Sequence, residues 1–181
     1  VVIITKAAAE ESNTKYAQGG IAGVLSGPDS FESHIKDTLD AGAGLCDPEI
    51  VRIVVTEGAE RIREIISLGT RFDTTPSGTY DLAKEGGHSQ HRVLHYKDST
   101  GNEIERALLE AIRQHPNIEI HTHYFAVDLI TQHHLGEEVR RNTSGIRCFG
   151  AYVLNTHTQS VETILSRVTL MASGGVGQIY K

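Results

Sequence analysis

The sequence predicts an α/β fold with a parallel sheet and a small antiparallel β insert. Three observations carry this. The chain opens on an unbroken apolar strand, Val1-Val2-Ile3-Ile4-Thr5. Three helices with clear start signals come next, before a run of short strands. A Gly-rich turn, Ser173-Gly174-Gly175, comes directly after an apolar stretch, as in doubly wound sheets whose ligands sit beyond the carboxyl ends of the strands.

Residues 1–5 read as a strand buried on both faces. No element precedes it, so an internal segment of a larger domain is expected. Residues 6–28 are loop-like, broken by Gly19-Gly20 and Gly27-Pro28. The first helix is expected to be capped by Asp29, with Glu32 three residues later. Phe31, Ile35 and Leu39 form its stripe, and Gly42 and Gly44 end it. Asp47 as N-cap and Pro48 at the first helical position start the second helix. Val51, Val54, Val55, Ile62, Ile65 and Ile66 form its apolar face, and Gly69 follows its end. The third helix follows Thr100, with Glu103 completing a capping box. Ile104, Leu108 and Ile112 line its inner side, and Pro116 stops it.

The remainder reads as strand. Residues 118–120 and 125–130 are two runs, and 132–145 is an exposed excursion. Residues 147–154 and 161–165 form a hairpin around a turn at 155–159. Residues 168–172 are a last strand that runs into the Gly cluster continued by Val176 and Gly177.

Composition excludes several classes. The 181 residues carry a net charge of −6, and binding to nucleic acid needs clustered Lys and Arg. No apolar run approaches the ~20 residues of a membrane span. Residues 1–5 lack the basic flank and cleavage site of a signal peptide. Cys46 and Cys148 stand far apart, which suggests free thiols in a reducing compartment. A cytoplasmic location is therefore expected.

Four segments could carry chemistry. Residues 13–22 (NTKYAQGGIA) offer backbone N–H groups, hydroxyls, amides and a Gly pair that can wrap a polar cofactor. An ordinary Gly-turn connector would look the same. Lys84-Glu85-Gly86-Gly87-His88-Ser89 could place an acid and a donor at a ligand, or be a surface turn. His88, His91 and His95, with His121, His123, His133 and His134, contain the right atoms for a metal. They lack tight ligand spacing and a Cys partner, so no metal is expected. Residues 171–177 (MASGGVG) have the shape of a phosphate- or flavin-contacting turn.

Taken together, these segments resemble L-aspartate oxidase, of the succinate dehydrogenase and fumarate reductase flavoprotein family. Residues 16–22 are similar to its YAQGGIA block, and residues 37–47 (DTLDAGAGLCD) to its DTLxAGAGxCD block. Glu85-Gly86-Gly87-His88-Ser89, Arg92-Val93-Leu94-His95, Asp98-Ser99-Thr100-Gly101 and His115-Pro116-Asn117-Ile118 come in the family's order. Ala172-Ser173-Gly174-Gly175 resembles its ATGG flavin turn.

The resemblance implies a partial FAD-binding, Rossmann-like domain over residues 1–181. The family's first strand and Gly-rich pyrophosphate fingerprint would lie upstream, and its capping domain, with the catalytic Arg, downstream. No catalytic residue is expected within the segment, and such a segment by itself is expected to be inactive. The reaction implied is oxidation of L-aspartate to iminoaspartate for quinolinate and NAD synthesis. A hydride leaves Cα for the flavin, with oxygen or fumarate as acceptor and a functional link to quinolinate synthase. Non-covalent FAD would be held by Lys6, Asn13, Thr14, Lys15, Tyr16, Ala17, Gln18, Gly19, Gly20, Val127, Ala172, Gly174 and Gly175. Glu85 and His88 would meet the substrate.

Asn13 stands where the respiratory members carry a flavin-linking His, which rules out a covalent bond there. Glu85 stands where they tend to have Phe, and a carboxylate can pair with the α-ammonium of aspartate. Thr5-Lys6 supplies no acidic residue for the ribose. The alternatives are a soluble fumarate reductase or succinate dehydrogenase flavoprotein, or a ligand-free structural segment.

Overall fold

The computed structural model describes residues 1–25 and 27–175; Val176 and Gly177 of the Gly cluster lie outside them. In chain order the strands are β1 (Val2–Thr5), β2 (Ile21–Ala22), β3 (Leu82–Ala83), β4 (Val93–Leu94), β5 (Glu119–Thr122), β6 (Tyr124–Thr131), β7 (Cys148–Asn155) and β8 (Ser160–Leu165). The helices are α1 (Phe31–Ala41), α2 (Pro48–Ser67) and α3 (Thr100–Gln114), with 3₁₀ turns at Thr14–Tyr16 and Gln132–Leu135. The chain divides into two compact units, residues 1–11 with 116–181, and residues 12–115.

In the first unit β1 and β5 pair in parallel, from Val2 opposite Glu119 to Thr5 opposite Thr122. This is the parallel strand the apolar opening predicts, but it is half-buried rather than buried on both faces, with Val2 45% exposed. Strands β6, β7 and β8 form the antiparallel insert. The hairpin between β7 and β8 turns on Asn155, whose Oδ1 accepts from the N–H groups of His157 and Thr158; a short amide side chain is well suited to this. Gly150 is needed in β7 because an added Cβ would lie 1.9 Å from the Ile164 carbonyl oxygen. Residues 168–172, expected as a strand, are not one. Val168, Leu170 and Met171 are exposed, and no neighbouring strand among the described residues offers them a ladder.

The second unit is built on α2. Asp47 caps it, accepting from the N–H groups of Glu49 and Ile50, and Gly69 takes a positive φ just past its end. Its buried stripe is Val51, Val55, Ala59 and Ile62, at helical spacing. Val54, expected on that face, points to solvent with 63% exposure. Val51 and Val55 pack with Ile35 of α1, and Ile62 packs with Phe72 and Leu94. A small sheet of order β2-β4-β3 holds the second cluster in place. Its two-residue strands are too short to show alternation in sequence.

Two caps differ from expectation for one reason: the residues named have stronger partners elsewhere. Ser30, not Asp29, caps α1 by accepting from Ser33 N–H. Asp29 is taken up instead by the Arg92 guanidinium. At α3 the N-cap Ser99 makes no side-chain cap bond. Thr100 donates to the Gly19 carbonyl, and Glu103 accepts from Arg71 N–H and pairs with Arg106. The buried residues of α3 are Thr100, Gly101, Glu103, Glu105 and Ala107; Ile104 is half-buried and packs against the cluster of Ile62, Phe72 and Leu94 as expected, and Leu108 and Ile112 are half-buried.

Candidate functional site

The second unit brings two of the sequence blocks together. Thr14–Tyr16 is a 3₁₀ turn, closed by Tyr16 and Ala17 N–H donating to the Asn13 and Thr14 carbonyls. The N-terminus of α3 packs directly on it, with Gly101 N–H donating to Ala17 O at 3.0 Å. A Cβ on Gly101 would lie 1.8 Å from Thr14 O, so only glycine allows this approach. Thr100 Oγ1 donates to Gly19 O at 2.7 Å. Gly20 lies against β4, where a Cβ would fall 2.3 Å from the Leu94 carbonyl oxygen. Gly20 therefore fixes a close backbone approach to β4.

Glu85 lies beside the same Gly pair. A Cβ on Gly19 would sit 3.5 Å from Glu85 Oε1, so the carboxylate rests against the Gly pair. Glu85, Gly86, Gly87 and His88 form a tight turn closed by His88 N–H donating to Glu85 O at 3.2 Å. Gly87 occupies the third position with φ of 82°, the conformation a type II turn reserves for glycine.

The turn is held by residues not expected at the site. Arg92 is 1% exposed and donates through Nε and Nη2 to both oxygens of Asp29, at 2.8 and 2.7 Å. Its Nη1 donates to Asp37 Oδ2 at 2.6 Å and lies 3.2 Å from His88 Nδ1. Asp37 Oδ2 also accepts from Ser89 N–H and Ser89 Oγ, both at 2.7 Å. The Ser89 N–H bond, with those of the Ser89 hydroxyl and Arg92, holds the Asp37 carboxyl well below the usual range, against partial desolvation. Burial opposes ionisation of Asp29 as well, but the Arg92 bond prevails and its pKa is lowered. Asp29, its bonded partner, raises the Arg92 pKa further. The one sequence signal for this network is Ser33 and Asp37 at i,i+4 spacing on α1, beside an Arg adjoining an apolar pair.

The histidines have separate partners. His91 Nδ1 lies 2.9 Å from Leu82 O, and His95 Nδ1 is 3.2 Å from Asp73 Oδ2. Among the described residues no group of three or more His, Cys, Asp or Glu could hold a metal ion.

The remaining expected residues fall in the first unit. Lys6 is exposed directly beyond the carboxyl end of β1, where parallel sheets present ligand sites. Val127 lies at a register shift in β6, skipped between Ala126 and Asp128 in the pairing with β7. A bulge of this kind leaves one residue's backbone outside the ladder. Ala172, Gly174 and Gly175 are exposed, and Gly174 has φ of 78°.

These features fit a flavin dinucleotide. Asn13, Thr14 and Gln18 are exposed polar groups next to the Gly pair. The N–H groups of Gln18 and Gly19 donate to no protein acceptor among the described residues. Such a donor set suits an anionic or polar cofactor.

Comparison with known proteins agrees. The model of the FAD binding domain family matches residues 1–181. L-aspartate oxidase 2-a, chloroplastic, of Nicotiana tabacum is 53% identical over 180 residues, 99% of this chain and 27% of its own length. L-aspartate oxidase of Yersinia pestis is 40% identical over 185 residues, 100% of this chain and 34% of its own. Among solved structures, a mutant of E. coli quinol fumarate reductase superposes with a TM-score of 0.86 at 26% identity, over 99% of this chain and 28% of that one. The chain thus spans about a quarter to a third of the relatives it matches.

Proposed function

The chain belongs to the FAD binding domain family, and on that premise we propose that it is part of an enzyme oxidising L-aspartate to iminoaspartate. One observation carries the choice of substrate: the Glu85 carboxylate lies against Gly19 of the flavin-type Gly pair. Bound FAD supplies the two-electron acceptor for the hydride leaving Cα. The residues of the chain hold the cofactor and select and orient the substrate.

Glu85 pairs with the α-ammonium of the substrate, an interaction that a plain dicarboxylate cannot make. His88, on the same turn, donates to a substrate carboxylate. In the second unit, Asn13, Thr14, Lys15, Tyr16, Ala17, Gln18, Gly19 and Gly20 present hydroxyl, amide and backbone donors to FAD. In the first unit, Lys6, the unpaired Val127 backbone, Ala172, Gly174 and Gly175 are its further contacts. Asn13 cannot form the bond a flavin-linking His makes, so FAD is held non-covalently.

The pyrophosphate fingerprint and the catalytic Arg of the family are not among these residues, and we assign them to other parts of the full protein. Oxygen or fumarate is the proposed acceptor, and the product is proposed to feed quinolinate synthase in NAD synthesis. No helix of the described residues is long and apolar enough to cross a membrane. The proposed compartment is the cytoplasm; "chloroplastic" in the tobacco name belongs to that protein.

The second reading, a fumarate reductase or succinate dehydrogenase flavoprotein, draws on the fumarate reductase superposition. An assay of the full-length protein with L-aspartate and with succinate separates the two. Flavin reduction by aspartate but not by succinate is the expected result, and reduction by succinate alone overturns the proposal.

A further inference from the structure

We propose that Asp37 and Arg92 are positioning residues for substrate selection: they lock the Glu85–His88 turn so that one carboxylate and one N–H donor meet an α-amino dicarboxylate. This rests on the reading that Glu85 and His88 contact the substrate.

The Arg92 guanidinium sets the geometry. Two of its nitrogens are committed to Asp29 in a forked pair at 2.8 and 2.7 Å, which fixes its plane. Nη1 then has two hydrogens in set directions. One goes to Asp37 Oδ2 at 2.6 Å, and the other faces His88 Nδ1 at 3.2 Å. Arg has no acceptor to offer, so His88 Nδ1 must accept. A ring hydrogen is thereby directed to Nε2, and His88 is held as a donor at that atom.

Asp37 secures the adjoining residue. Its Oδ2 gathers the Ser89 N–H, the Ser89 hydroxyl and Arg92 Nη1, while Ser89 Oγ lies 3.0 Å from Ser33 Oγ on α1. These bonds fix the turn at its His88 end. At its other end the Glu85 carboxylate rests on Gly19, whose carbonyl accepts from Thr100. The short turn therefore presents an acceptor for an ammonium group and a donor for a carboxylate. Neither Asp37 nor Arg92 needs to touch the substrate.

The test uses the full-length, flavin-loaded protein, with Asp37→Asn and Ser89→Ala. The first keeps the shape of Asp37 but removes its charge. The second deletes one donor and leaves the Arg92–Asp37 bond intact, so it serves if Asp37→Asn fails to fold. For Asp37→Asn, KM for L-aspartate is expected to rise about tenfold with kcat changed less than about threefold. For Ser89→Ala the same parameter is expected to rise about threefold. KM for fumarate, which keeps the carboxylate that His88 meets but has no ammonium for Glu85, is expected to rise distinctly less than KM for L-aspartate in both variants. Parallel losses on both substrates, a fall in kcat alone, or no change would overturn the positioning role. A wild-type protein that does not oxidise aspartate overturns the substrate reading, and this proposal with it. Wild-type oxidation with unaltered selectivity in the variants overturns the positioning role alone.

Discussion

Arg92 and Asp37, 55 residues apart in sequence, meet through Nη1 and Oδ2 at 2.6 Å. Arg92 is wholly buried, and the Asp37 side chain is 13% exposed. The pair joins the second sequence block to the fourth, and so joins helix α1 to the turn carrying Glu85 and His88. A surface ion pair would be worth little, but this one has a desolvated cation whose removal strands its partners.

Arg92→Met should therefore destabilise the protein by about 3–5 kcal/mol, because it leaves Asp29 unpaired at 3% side-chain exposure. Arg92→Lys should recover only part of this, since a point charge cannot replace the fork on Asp29. Urea unfolding of the three proteins checks both. A loss below about 1 kcal/mol for Arg92→Met would show that water or a neighbour compensates.

The same network sets the acid sensitivity. His34 is buried, and desolvation, then the Arg92 charge, lowers its pKa from 6.5. A lowered folded value means that its stabilising contribution is complete above pH 6.5 and is lost as pH falls through the folded value. Asp29 and Asp37 are also lowered, from 3.8, and their contributions are lost only below that value. Melting temperature should thus decline in two stages on acidification. Among the described residues His34 Nδ1 has no hydrogen-bond partner, so His34→Leu strands none of them at that atom. That variant should remove the first stage and keep the second. An unchanged first stage would assign it to another group.

The glycines give a contrast. Ala at Gly20 or Gly101 would place a methyl 2.3 Å from Leu94 O or 1.8 Å from Thr14 O. Each should cost about 1–3 kcal/mol or more and weaken flavin retention by displacing residues 14–20. Gly58, inside α2, has none of the described residues within 4 Å of an added Cβ beyond its own helix backbone and chain neighbours. Gly58→Ala should instead stabilise by about 0.5–1 kcal/mol. Thermal melts and flavin content measured together test this; an unperturbed Gly101→Ala would contradict the packing of α3 on the 3₁₀ turn.

The long elements are legible in sequence where local signals agree. Asp47-Pro48 and Gly69 mark both ends of α2, and flanking apolar runs mark the β7–β8 hairpin. Cap assignments at Asp29 and Thr100 fail because these polar groups serve partners 63 and 81 residues away, which no local pattern encodes. Residues 168–172 have the apolar composition of a strand but no ladder among the described residues, and composition cannot supply a partner. At the site, resemblance marks Gly19, Glu85 and His88. The Arg92 hub stays hidden, since its importance arises from burial and three-dimensional convergence.

The most direct test of the central claim is Glu85→Gln in the full-length protein, assayed for L-aspartate oxidation and for fumarate reduction. Removing the charge that pairs with the α-ammonium should lower kcat/KM for aspartate about a hundredfold and leave that for fumarate within about threefold. Equal losses on the two substrates would contradict the assignment of Glu85 as the residue that selects an amino acid.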